Sequence, residues 1–104
     1  FKISNIRQNT FIGLNQLKSL NLNFNRLSSL NNLTFEHLNE LNELNLEKNF
    51  IKEIDTHAFL PLNNLKSLNL ANNFIYSLNL EFSSLSQLKR LNLDHNTLKR
   101  IDFN

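Results

Sequence analysis

Three histidines, nine carboxylates, a scatter of hydroxyls and one glycine are the groups in this 104-residue chain that could support catalysis. His37, His57 and His95 fall at different places within the repeating pattern of the chain, so no common face gathers them into a metal site or sets one beside a nucleophile. Gly13 stands alone, which excludes a glycine-rich phosphate loop. Without cysteine there is no thiolate nucleophile, no disulfide and no thiolate metal site, and no serine has a recognisable base partner. The expectation is a chain with no catalytic residue, no cofactor and no metal.

The net charge is +2, with Lys and Arg interspersed among Asp and Glu, which makes no strong field toward nucleic acid or an anionic membrane. No nucleic-acid partner is expected on that ground. Every leucine run is interrupted by Asn, Ser, Lys or Glu, so no apolar stretch approaches the roughly 18 residues that cross a bilayer. A soluble segment without direct membrane contact is expected.

The informative spacing belongs to leucine and asparagine. Leu65, Leu68, Leu70, Asn73 and Ile75 have the form LxxLxLxxNxI, and Leu41, Leu44, Leu46, Asn49 and Ile51 repeat it. Leu17, Leu20, Leu22, Asn25 and Leu27 make an earlier copy, and Leu88, Leu91, Leu93, Asn96 and Leu98 a later one. The copies begin at residues 17, 41, 65 and 88, at spacings of 24, 24 and 23. A fixed period of about 20 to 29 residues with leucines at these offsets marks a solenoid of stacked turns. Residues 1–16 read as the tail of an earlier turn, with Ile3 and Ile6 where Ile51 and Ile54 stand later. One array over residues 1–104, cut from a longer one, is therefore expected.

Within LxxLxL the apolar and polar residues alternate with period two, the pattern of a short strand with one face buried. Strands are expected near 19–21, 43–45, 67–69 and 90–92. A chain that returns to the same place every 24 residues runs them all in one direction, into a parallel sheet on a concave face. The return segments hold few helix formers in sequence, and they carry Gly13, His37, Pro61 and Ser84 just before Leu14, Leu38, Leu62 and Leu85. Irregular convex loops with short helical turns are expected there. Asn25, Asn49, Asn73 and Asn96 stand where the chain leaves each strand, and an inward carboxamide there can pair backbone groups that would otherwise be buried unpaired. Phe11, Phe35, Phe59 and Phe82 should stack into a column beneath the convex side.

This motif, with phenylalanine eight positions past its last residue, resembles the typical class of leucine-rich repeats, and the run from Thr56 to Leu62 (THAFLPL) is especially similar to it. The resemblance covers the whole chain in four in-register copies. It implies an α/β repeat solenoid: a right-handed superhelix with a parallel β-sheet on the concave face and mostly irregular convex loops. It also implies an extracellular setting, since the class is characteristic of the ectodomains of Toll and Toll-like receptors, chaoptin-like adhesion proteins, Slit proteins and small leucine-rich proteoglycans. Those proteins bind other macromolecules, so the implied partners are a protein or glycoconjugate ligand together with neighbouring repeats and caps of the same parent chain. The cysteine-rich caps of the family have no counterpart in this chain.

Three columns of side chains should line the concave face: Ser19, Glu43, Ser67 and Arg90; then Asn21, Asn45, Asn69 and Asn92; then Asn23, Glu47, Ala71 and Asp94. The unbroken asparagine column reads either as a hydrogen-bonding strip for a ligand or as solvated amides bonding one another across strands. Twelve outward residues fall short of the roughly 20 to 30 per side of a standard interface, so a complete interface needs more repeats or a flank. A flank is suggested by Phe50 and Phe74, which alternation turns outward at the same place in consecutive repeats, with Tyr76 two residues beyond. Ring-on-ring packing that shields the turns is the alternative. Asn32-Leu33-Thr34 is a glycosylation sequon on the convex side, although this asparagine-rich composition supplies such triplets by chance.

Overall fold

In each LxxLxL segment the middle leucine turns inward and its two neighbours turn outward, and each segment is a three-residue strand. The computed structural model describes residues 2–80 and 84–103. In chain order the strands are β1 (Ser19–Asn21), β2 (Ser29–Leu30), β3 (Glu43–Asn45), β4 (Glu53–Ile54), β5 (Ser67–Asn69), β6 (Ser77–Leu80), β7 (Arg90–Asn92) and β8 (Arg100–Phe103). β1, β3, β5 and β7 form one parallel sheet in that order. Its register places Ser19 beside Glu43, Glu43 beside Ser67, and Ser67 beside Arg90.

These four strands lie where the leucine pattern sets them; the other four do not come from it. β2 pairs with β4 and β6 with β8, both in parallel, as short sheets beyond the turn that follows each main strand. Their pairing is continued by backbone bonds such as Lys52 N to Ser28 O at 3.0 Å and Asp55 N to Leu30 O at 2.8 Å. On the convex side, successive four-residue turns closed by i→i−3 bonds stand where short helical turns are expected. Thr34 N to Asn31 O, Glu36 N to Leu33 O, Leu38 N to Phe35 O and Leu41 N to Leu38 O form one such series. No helix occurs among the described residues. Gly13 and His37 occupy equivalent places with φ of 87° and 82°, a conformation that glycine takes freely; Pro61, whose ring locks φ near −65°, turns the third repeat differently.

The core runs along the solenoid axis as columns. Leu44, Leu46, Leu68 and Leu70 are buried, and so are Leu41, Leu65, Ile51 and Ile75. Burying one such side chain contributes about 1.5–3 kcal/mol. Leu20 and Leu91, in the outermost strands, are only partly buried because each has a neighbouring turn on one side alone. Phe35 and Phe59 stack at 6.0 Å between centroids, with Phe11 buried at the end of the same column. Phe82 lies outside the described residues.

The asparagines that end each motif bond across turns as well as within them. Asn49 Oδ1 accepts Leu27 N–H at 3.0 Å, while its Nδ2 donates to Leu22 O and Leu46 O, both at 3.0 Å. Asn73 does the same one turn on, accepting from Ile51 N and donating to Leu46 O and Leu70 O. Asn25 and Asn96 take the equivalent places at the ends. Among the described residues no buried side-chain nitrogen or oxygen lacks a partner.

Candidate functional site

On the concave face, Asn21, Asn45, Asn69 and Asn92 stand in register across the four strands. Each folds its Oδ1 back onto the backbone N–H two residues on, at 3.0 Å to Asn23, 2.9 Å to Glu47, 3.0 Å to Ala71 and 3.0 Å to Asp94. These side chains therefore close the end of each strand, and no bond joins one asparagine of the column to the next among the described residues. A backbone N–H can only donate, so the clamp fixes which end of every carboxamide is oxygen. The clamp leaves four NH₂ groups as donors of one polarity, of which that of Asn69 lies 3.4 Å from Glu47 Oε1.

The neighbouring columns carry the charges. Glu43, Arg90 and Asp94 are exposed, and Ser19 and Ser67 stand in the same column as Glu43 and Arg90. Glu47 is half-buried, its carboxylate reached by Asn69 Nδ2 at 3.4 Å and Asn72 Nδ2 at 3.5 Å, both long for a hydrogen bond. Ala71, expected to face outward, is buried: its methyl group is short, and the Glu47 side chain reaches residues on either side of it. The hollow over Asn21, Asn45 and Asn69 has a volume of ≈ 240 Å³. That is below the roughly 300 Å³ of an enclosing small-molecule site, and it suits a ligand lying across the face.

The edge where the chain leaves each strand is built differently. Phe24, Lys48, Asn72 and His95 hold equivalent places in the four turns, all with φ of 57–58°, and backbone bonds link the first three to the turn that follows. Arg26, Phe50, Phe74 and Thr97 form the next column, and Ser28, Lys52, Tyr76 and Lys99 the one after. Phe50 and Phe74 lie parallel, 5.9 Å between centroids and 5° between planes. The rings pack on each other and each stays about half open to solvent. Phe24, Phe50, Phe74 and Tyr76 are 50, 49, 46 and 48 % exposed. Lys48 Nζ sits 4.7 Å from the centre of the Phe24 ring, a cation over a ring face.

Phe24 and Lys48 were not evident in the sequence as parts of this surface. The signal was present: the other three copies carry polar residues where Phe24 stands, so that place faces water. Beyond Tyr76 a shallow groove of ≈ 400 Å³ is lined by Asn31, Lys52, Asp55 and Tyr76 among others. On the convex side Asn32 is exposed, while Thr34 of the same sequon is buried, its hydroxyl accepting Asn31 N–H at 3.0 Å. The histidines are dispersed. His37 Nε2 lies 2.9 Å from Asn9 Oδ1 and 3.3 Å from Glu36 Oε1, and His57 Nδ1 lies 4.0 Å from Asp55 Oδ1. No cluster of potential metal ligands occurs among the described residues, and no helix among them is long and apolar enough to cross a membrane.

Stacked turns, a parallel concave sheet and cross-turn asparagines define a solenoid whose outer columns are free to meet a ligand. The chain belongs to the leucine rich repeat family, whose pattern it matches over residues 2–51 and 39–98. Among curated proteins none matches. Among solved structures it is similar to TLR13 in its complex with ssRNA13, with 28% identity, a TM-score of 0.62 and coverage of 96% of this chain and 21% of that one. It also shares its fold with a chain of the glycosylated Toll–Spatzle complex of Drosophila, with 18% identity, a TM-score of 0.63 and coverage of 99% and 22%. The chain thus spans about a fifth of the length of these structures.

Proposed function

We propose that this chain is a non-catalytic recognition segment of an extracellular receptor or adhesion ectodomain, part of a longer repeat array, and that its ligand is a protein or glycoconjugate. The observation that carries this reading is the parallel Phe50–Phe74 pair. A chain that buries the leucines of its central repeats and the rings of Phe11, Phe35 and Phe59 leaves these two rings near half exposure, side by side on one edge. Clustered aromatic rings with a polar surround are more typical of interfaces than of bare surface. The family and the ligand-bound state of both similar structures support the reading.

The likeness to TLR13 in complex with ssRNA13 makes single-stranded RNA the competing ligand class. Glu43, Glu47 and Asp94 on the concave face oppose a polyanion there. The test has two parts. Surface biotinylation of the intact parent protein should recover it at the cell surface or in the medium, and an exclusively cytosolic pool sinks the receptor and adhesion readings together. Replacing Phe50 and Phe74 by serine should abolish ligand capture with circular dichroism and melting unchanged; lost stability with retained affinity makes the rings structural only.

A further inference from the structure

The lateral edge is charged as well as aromatic. Its three columns comprise twelve side chains, all exposed or partly so, and they include Arg26, Lys48, Lys52 and Lys99 but no carboxylate. Elsewhere the chain mixes its nine acidic residues with its basic ones, so this edge holds a local excess of positive charge that a net charge of +2 conceals. The nearest carboxylates lie at its borders: Glu47 and the exposed Asp94 on the concave side, Glu47 with two asparagine amides at 3.4 and 3.5 Å, and Glu53 and Asp55 beyond Lys52, where they line the groove.

We propose that this edge docks an acidic polypeptide segment that carries apolar or aromatic side chains. The proposal rests on the recognition reading above and gives its ligand a chemistry. Four cations, with no acid inside the three columns and carboxylates only at their borders, supply the charge complementarity, and the half-exposed rings supply the apolar contact. The rings favour a polypeptide over a nucleic acid. Stacking a base requires an open ring face, yet Phe50 and Phe74 turn a face to each other at 5.9 Å and Lys48 covers a face of Phe24. One face and the edges of each ring remain, and they pack against leucine, isoleucine or phenylalanine side chains. Tyr76 stands beside the ≈ 400 Å³ groove, where a hydroxyl, a lysine and backbone groups can meet a peptide main chain.

The test titrates the folded chain with four probes at low salt: a peptide alternating glutamate and phenylalanine, the same peptide with serine for phenylalanine, an oligouridylate, and phosphatidylserine vesicles. The first should bind at least tenfold more tightly than each of the others. Its affinity should fall at least tenfold in Lys52→Glu/Lys99→Glu and again in Phe50→Ser/Phe74→Ser, both with unchanged circular dichroism. Tighter, ring-dependent binding of the oligouridylate or of vesicles overturns the polypeptide assignment while keeping the edge as a recognition surface. Binding of the first peptide that neither double variant weakens overturns the assignment to this edge, as does binding of none of the four probes.

Discussion

Asn49 joins two turns through one side chain: it accepts the Leu27 N–H of the preceding turn at 3.0 Å and donates to Leu22 O of that turn at 3.0 Å. Leucine has the same number of side-chain heavy atoms, branched at the same place, and none of the bonding capacity. Asn49→Leu should therefore strand the buried Leu27 N–H, while Leu22 O and Leu46 O keep the amides of Asn25 and Asn73, and cost about 1–3 kcal/mol. Thermal unfolding followed by circular dichroism measures it. Asn25→Leu, at a half-exposed site, should cost clearly less, and an equal or larger loss there would contradict the cross-turn role.

The phenylalanine column gives a second expectation. Phe35 is fully buried and stacked on Phe59, whereas Phe11 is at the column's end and 8% exposed. Phe35→Ala should cost about 3–5 kcal/mol through lost contacts and a cavity. That is a large share of the roughly 5–15 kcal/mol of a small domain, so cooperative unfolding should be lost or moved far down in urea. Phe11→Ala should leave a measurable transition.

A third concerns the left-handed residue before each motif asparagine. Asn72 has φ of 58°, where a branched side chain clashes with its own backbone. Asn72→Val should cost about 1–2 kcal/mol although the site touches no core residue, Asn72→Ala less, and Asn72→Gly least. Melting temperatures in that order confirm the backbone cause. Equal losses would point instead to the long bond with Glu47.

The donor column offers a fourth. In Asn45→Asp the carboxylate still accepts the Glu47 N–H, so stability should stay within about 0.5 kcal/mol of the parent, as for other surface changes. Asn45→Ala loses that bond and should cost about 1 kcal/mol. Any ligand gripped by the outward NH₂ should bind the aspartate variant more weakly than either, and binding equal to the parent would exclude that grip.

The legibility of this chain varies with physical cause. Leu20, Leu44, Leu68 and Leu91 announce their strands because alternation about a buried residue is written in side-chain type. Asn49 and Phe35 announce their columns because each is chemically unlike its neighbours and recurs. β2 and β4 were not legible, since Ser29–Leu30 and Glu53–Ile54 pair through backbone groups that every residue possesses. The backbone bond of Asn45 is not legible because an asparagine next to a turn can bond its own backbone or its neighbour, and the choice depends on an N–H two residues away that only the fold brings round. The pairing of Phe24 with Lys48 is not legible because ring and ammonium meet across one full turn of the solenoid.

The parallel register of β1, β3, β5 and β7 separates frame from message. Adjacent turns are joined by main chain and by inward leucine, asparagine and phenylalanine, while Ser19, Glu43 and Arg90 on the main sheet and Lys52 and Lys99 on the lateral edge contribute little to that joining. Their replacement should be nearly neutral for folding. A chain built this way can exchange its outer letters one at a time, as a printer resets type in a fixed forme, so new ligands can be sampled without dismantling the scaffold that displays them.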